Sequence, residues 1–150
     1  MTDHFFTSDV ATRMAQGVPH AAALQIEFVS VENGVGTMRV PWREDLVGDP
    51  DTGVIAGGVV TALLDHVCGL AVQAGRTTPQ PTATLDLRID YMRPAKPRSG
   101  VTAQARVYKY THSIAFVRAS AYDESPDDPV ATVQAAFALT GGPMPTMGGS

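Results

Sequence analysis

The chain predicts an α+β fold, with one long apolar helix against an antiparallel sheet of about six strands and a short helix in front. Three observations carry that expectation. Helical spacing of apolar residues runs from Gly57 to Gly75, a period of two takes over after Pro81, and short turn clusters separate the strands that follow. The size agrees, because 150 residues suit one domain around one core. Hydrophobic residues make up 44% and charged residues 17% of the chain, which is too apolar for a disordered polypeptide.

Taken in order, residues 7 to 16 read as a helix capped by Ser8 or Asp9 and ended by Gly17 and Pro19. Strands follow at about Gln25 to Glu32 and Val35 to Pro41, joined by Asn33-Gly34, a strong hairpin signal. From Trp42 to Gly53 runs a loop rich in Asp, Gly and Pro, and a loop of that length inside a domain carries function or moves. Gly57-Gly58 opens the central helix. Its apolar residues (Val59, Val60, Leu63, Leu64, Val67, Cys68, Ala71, Val72) occupy so much of the circumference that it must be covered on most sides. Next, Leu85, Leu87, Ile89 and Tyr91 alternate with Thr84, Asp86, Arg88 and Asp90, a half-buried strand ending at Arg93-Pro94. Further strands span Val101 to Tyr110, Ile114 to Tyr122 and Val130 to Thr140. Residues 1–140 thus form a single domain, and residues 141–150 a disordered tail with nothing to bury. One sheet face cannot cover a helix that is apolar nearly all round, so a homo-oligomer is expected.

Several classes are excluded early. A net charge of −4 does not favour nucleic acid. The lone Cys68 allows neither an intramolecular disulfide nor a Cys-rich zinc site. His4, His20, His66 and His112 are scattered without metal-ligand spacing, so no metal is expected. The most apolar stretch, Val59 to Val72, is broken by Asp65 and His66, so no membrane span is expected. The first six residues lack the features of a signal peptide, and a cytoplasmic protein is the expectation.

Asp65 is the anomaly. It stands mid-helix between Leu64 and Val67-Cys68, and no Lys or Arg separates it from Arg76. A carboxylate in an apolar element without a cation is costly to ionise. It either points to solvent or to a hydroxyl such as Thr61, or serves as a base or nucleophile in a pocket. Gly57-Gly58 offers unpaired N–H groups at the helix start, which can hold an oxyanion; the plainer role is a tight turn. Eight residues separate Gly57 from Asp65, roughly 12 Å of helix. One helix therefore cannot bring both groups to one carbonyl. Two antiparallel copies around a two-fold axis could set Asp65 of one beside Gly57 of the other, so a catalytic site would straddle the dimer interface.

The run from Gly53 through Ala56-Gly57-Gly58 to Asp65 resembles the central-helix signature of hotdog-fold acyl-CoA thioesterases, in the phenylacetate-degradation (PaaI-type) branch. The segment ATLDLRIDYMRPA, Ala83 to Ala95, is similar to that family's next strand, and the later strands fit in order and length. The resemblance covers about residues 20 to 140. It implies a hotdog fold in which Asp65 is the catalytic carboxylate, acting as base or nucleophile, the Gly57 amide polarises the thioester carbonyl, and Thr84 helps orient water or carboxylate. It also implies that coenzyme A runs along Tyr91, Arg93, Pro94 and Ala95 and past the turn holding His112 and Ser113, with Gly58 close to the substrate. Arg93, Lys96 and Lys109 would meet its phosphates. Coenzyme A enters as part of the substrate, and no other cofactor is implied. The acyl chain is expected in a mostly apolar tunnel between the protomers of a dimer or a dimer-of-dimers tetramer.

Two positions depart from the pattern: Ala56 stands where relatives carry His, and Pro50 where many carry Asn. A non-hydrolytic acyl-CoA binder on the same scaffold is therefore the alternative, and a dehydratase a weaker third. His66 is read as an interface or solvent residue, with a catalytic substitute for the missing His as the sharper option. Cys68 is read as a small buried hydrophobe.

Overall fold

The computed structural model describes residues 8–76 and 80–139. Helix α1, Ser8–Gly17, precedes a second short helix, α2, Pro19–Leu24. Helix α1 ends at Gly17, as the sequence predicts; α2 is not expected from it, and Pro19 fits the first turn of that helix, where its missing N–H has no partner to lose. Strands β1 (Glu27–Glu32) and β2 (Val35–Val40) follow, joined through Asn33 and Gly34, both at positive φ (52° and 78°). That backbone twist matches the strands it connects. The expected loop contains a 3-10 turn, Glu44–Leu46, and a small hairpin of β3 (Val47–Asp49) and β4 (Val54–Ile55). The central helix α3 spans Gly57–Ala74. Four long strands complete the fold: β5 (Thr82–Tyr91), β6 (Val101–Tyr110), β7 (Ile114–Tyr122) and β8 (Ala131–Leu139).

Six strands form one antiparallel sheet in the order β1-β2-β6-β7-β8-β5, with α3 packed on one face. This is the hotdog arrangement. The helix can lie close because much of the sheet face beneath it is alanine: Ala103, Ala105, Ala115, Ala121, Ala131 and Ala135 are all buried. Larger side chains fill the remaining volume, among them Met38, Val101, Val117 and Phe137 from the sheet and Leu63, Leu64 and Val67 from the helix.

By length and composition alone α3 could cross a membrane, yet nine of its side chains are buried within the protein. It is a core helix. One stripe is left uncovered by its own sheet, through Gly58, Thr61, Ala62, Asp65, His66 and Gly69. Within one chain the sheet reaches only the opposite flank.

Candidate active site

The uncovered stripe of α3 forms the floor of a cleft of about 320 Å³, lined by His20 of α2, by Gly58, Thr61, Ala62, Asp65 and His66 of α3, and by Thr84 and Leu87 of β5. Asp65, half-buried, accepts a hydrogen bond from the Thr84 hydroxyl at 2.9 Å. No cation pairs with it among the described residues. Five of its eight lining residues carry a polar side chain.

Thr84 reaches Asp65 because β5 contains a bulge. Thr84 pairs with Phe137 and Asp86 with Ala136, so Leu85 is an extra residue without a counterpart on β8. The strand changes phase there. Thr84 therefore lies on the helix-facing side with Leu87, Ile89 and Tyr91, whose partners Ala135, Val133 and Ala131 are buried on that side. Strict alternation from sequence placed Thr84 on the opposite face and Leu85 inside; Leu85 is instead 58% exposed.

The helix start is open. Ala56 offers no side-chain cap; its carbonyl accepts the N–H groups of Val59 and Val60, and its own N–H reaches the Leu46 carbonyl. Gly57 and Gly58 are exposed, and neither N–H has a partner among the described residues. Tyr91 closes over this end, its hydroxyl donating to the Gly57 carbonyl at 2.8 Å and meeting the Thr61 hydroxyl. A β-carbon on Gly57 would sit 3.7 Å from the Tyr91 ring, whereas one on Gly58 would meet nothing within 4 Å.

The segments expected along coenzyme A do not converge within one chain. Tyr91, and with it Arg93, Pro94 and Ala95, belongs to the Gly57 end of α3. His112 and Ser113 lie in the β6–β7 turn, next to Tyr110, whose hydroxyl donates to the Val72 carbonyl at the far end of the helix. About 22 Å of helix separates those ends. Arg93 has all five donors engaged: two on the Asp123 carboxylate at 2.7 and 2.9 Å, one on the Asp128 carboxylate, and one each on the Asp128 and Pro94 carbonyls. None remains for a phosphate while those bonds hold. The same guanidinium, with two backbone N–H groups, holds the Asp123 carboxyl well below the usual carboxylate range. Lys96 pairs with Glu124. Asp123 and Asp128 were not singled out from sequence, because thirty or more residues separate them from Arg93.

Other expectations resolve simply. Cys68 is buried, and burial, reinforced by the nearby Asp65 charge, pushes its thiol far up, so it packs as a hydrophobe. Burial lowers the His66 pKa, against an opposing pull from Asp65 and with help from His20. Pro50 sits in the β3–β4 turn, where the Asp49 carboxylate accepts the Asp51 N–H at 3.0 Å; neither acid lines the cleft.

Comparison with known proteins agrees with this architecture. Residues 52–130 match the family model described as the thioesterase superfamily. A Halobacterium salinarum protein provisionally named an esterase is 33% identical over 111 residues, covering 70% of this chain and 72% of its own. A solved Pseudomonas aeruginosa protein superimposes with a TM-score of 0.80 at 34% identity, covering 87% of this chain and 96% of the other. A variant of the phenylacetic acid degradation protein PaaI from Thermus thermophilus does so at 0.68 and 25% identity, covering 81% and 98%. The chain belongs to the thioesterase superfamily, and thioester hydrolysis is the chemistry that membership supports in general terms.

Proposed function

We propose that this chain hydrolyses acyl-CoA thioesters in a site built between two copies of itself. The observation that carries the reading is Asp65, oriented by Thr84 in a cleft that opens beside N–H groups at the start of α3 that have no partner among the described residues. Asp65 acts as base for water or as direct nucleophile on the thioester carbonyl. The charge developing on the carbonyl oxygen is met by the Gly57 N–H of the facing helix, and the carbon–sulfur bond breaks with the thiolate leaving. On the base route the water's proton passes through Asp65 to that thiolate; on the nucleophile route water then cleaves the acyl–Asp65 anhydride to free acid and carboxylate.

Three features support a second copy. Asp65 and Gly57 are too far apart along one helix to serve one carbonyl. The two candidate coenzyme A segments lie at opposite ends of α3, and an antiparallel partner would bring one against the other. β5 is an outermost strand of ten residues with Leu85 and Tyr91, and Met92 just after it, more than half exposed, an edge suited to pairing with a copy of itself. Gly58, Pro94 and Ala95 would border the pantetheine path, His112 and Ser113 the nucleotide end, and Lys109 its phosphates.

Ala56 and Pro50 favour a second reading, an acyl-CoA binder without turnover. A panel of acyl-CoA esters followed by free-thiol release separates the two. Release that scales with enzyme supports the hydrolase. Saturable binding with no thiol released by the wild type supports the binder.

A further inference from the structure

The cleft contains an imidazole that the mechanism above does not use. His66 lies on the open stripe of α3 next to Asp65, and both line the same cleft. The titratable groups sharing that cleft are Asp65 on its own helix and His20 on α2; β5 contributes Thr84 and Leu87. The buried environment holds the ring in its neutral form, with one N–H donor and one free ring nitrogen.

The two-fold arrangement gives this side chain a specific opposite number, and the inference rests on that arrangement. If Asp65 of one helix stands level with Gly57 of an antiparallel partner, each step toward the C-terminus on one helix is a step toward the N-terminus on the other. Position 66 then stands level with position 56, which is Ala56. The residue beside the carboxylate is a histidine, and the residue this register sets opposite it is an alanine, whose side chain is a single methyl.

We propose that His66 reaches across the interface into the space beside Ala56 of the facing copy and donates a hydrogen bond to the thioester carbonyl oxygen, next to the Gly57 N–H. The site then has two donors on the developing oxyanion, one from each protomer, and Asp65 acting from the His66 side. His66 is a catalytic residue in this account because it touches the reacting oxygen. It gains and loses no proton in the step.

The test compares His66→Ala and His66→Gln in the full chain with two coenzyme A analogues, a ketone that keeps the carbonyl and a thioether that lacks it. His66→Ala is expected to weaken ketone binding about tenfold, since one hydrogen bond is at stake, and to leave thioether binding within twofold. Thiol release should fall about 100-fold, the usual effect of losing one oxyanion donor. His66→Gln keeps an N–H donor and should retain most of both. The double variant Ala56→His/His66→Ala should recover ketone binding. Equal loss of ketone and thioether binding in His66→Ala, or wild-type affinity for both, overturns the proposal. So does His66→Gln behaving like His66→Ala. Because the ketone comparison needs no turnover, a wild-type protein that binds without hydrolysing would sink the hydrolase reading and leave the His66 contact to stand or fall by itself.

Discussion

The Thr84 hydroxyl donates to the Asp65 carboxylate at 2.9 Å, linking an edge strand to the middle of the core helix. The bond fixes which way the carboxylate faces, and it exists because Leu85 is bulged out of the β5–β8 ladder. Thr84→Val keeps shape and removes the donor. A hydrogen bond to a charged group is worth about 1.5 kcal/mol, so kcat should drop about tenfold with KM nearly constant. Thr84 is exposed in the single chain, so steady-state kinetics, not melting, is the measurement that reads it.

Gly58 separates fold from ligand. Beyond its own stretch of helix, a methyl group there meets nothing within 4 Å among the described residues, and alanine suits a helix better than glycine. Gly58→Ala should therefore raise stability by about 0.5 kcal/mol while raising KM for acyl-CoA, because the methyl enters the cleft. Chemical denaturation and substrate titration of the same preparation check both halves. Lower stability with unchanged KM would mean that the cleft is not where substrate lies.

The core carries a more ordinary prediction. Leu64 is fully buried in α3, and Leu64→Ala should cost about 3 kcal/mol through lost transfer energy and a residual cavity. Urea unfolding measures it.

Acid should destabilise the protein in two stages. His66 has a folded pKa below its ordinary value of about 6.5. Above that value both folded and unfolded chains hold it neutral; as the pH falls through it, the unfolded chain takes the proton first and stability declines. Asp123 is also depressed, so its contribution is intact above about 3.9 and is lost as the pH falls further toward the folded value. His66→Gln should flatten the first stage and leave the second. Unfolding midpoints measured from pH 8 to pH 3 in both proteins give the answer, and identical slopes between pH 6.5 and 5 would contradict it.

Much of the fold was legible because its signals are local. The strands Val101–Tyr110 and Ile114–Tyr122 begin and end where alternation and turn residues place them, and the central helix ends one residue before Gly75. Asp65 stood out because an acid in an apolar helix is a local contradiction. The rest depends on partners distant in sequence. A bulge at Leu85 is invisible in one strand, since only the register against β8 reveals it. Alternation alone puts Thr84 on the other face, whereas the family resemblance puts it beside the carboxylate, where it lies. Arg93 looked free for a phosphate until the chain brought back Asp123 and Asp128. Residues 141–150, read as a disordered tail, lie outside the described residues.

The central claim is that one carboxylate performs the attack or activates the water that does. Asp65→Asn keeps size and the Thr84 neighbour while removing the charge. Thiol release from the best acyl-CoA of the panel should fall at least about 100-fold, with acyl-CoA binding by calorimetry within a few-fold of wild type. Turnover at the wild-type rate in Asp65→Asn, with the same fold by circular dichroism, would contradict the account.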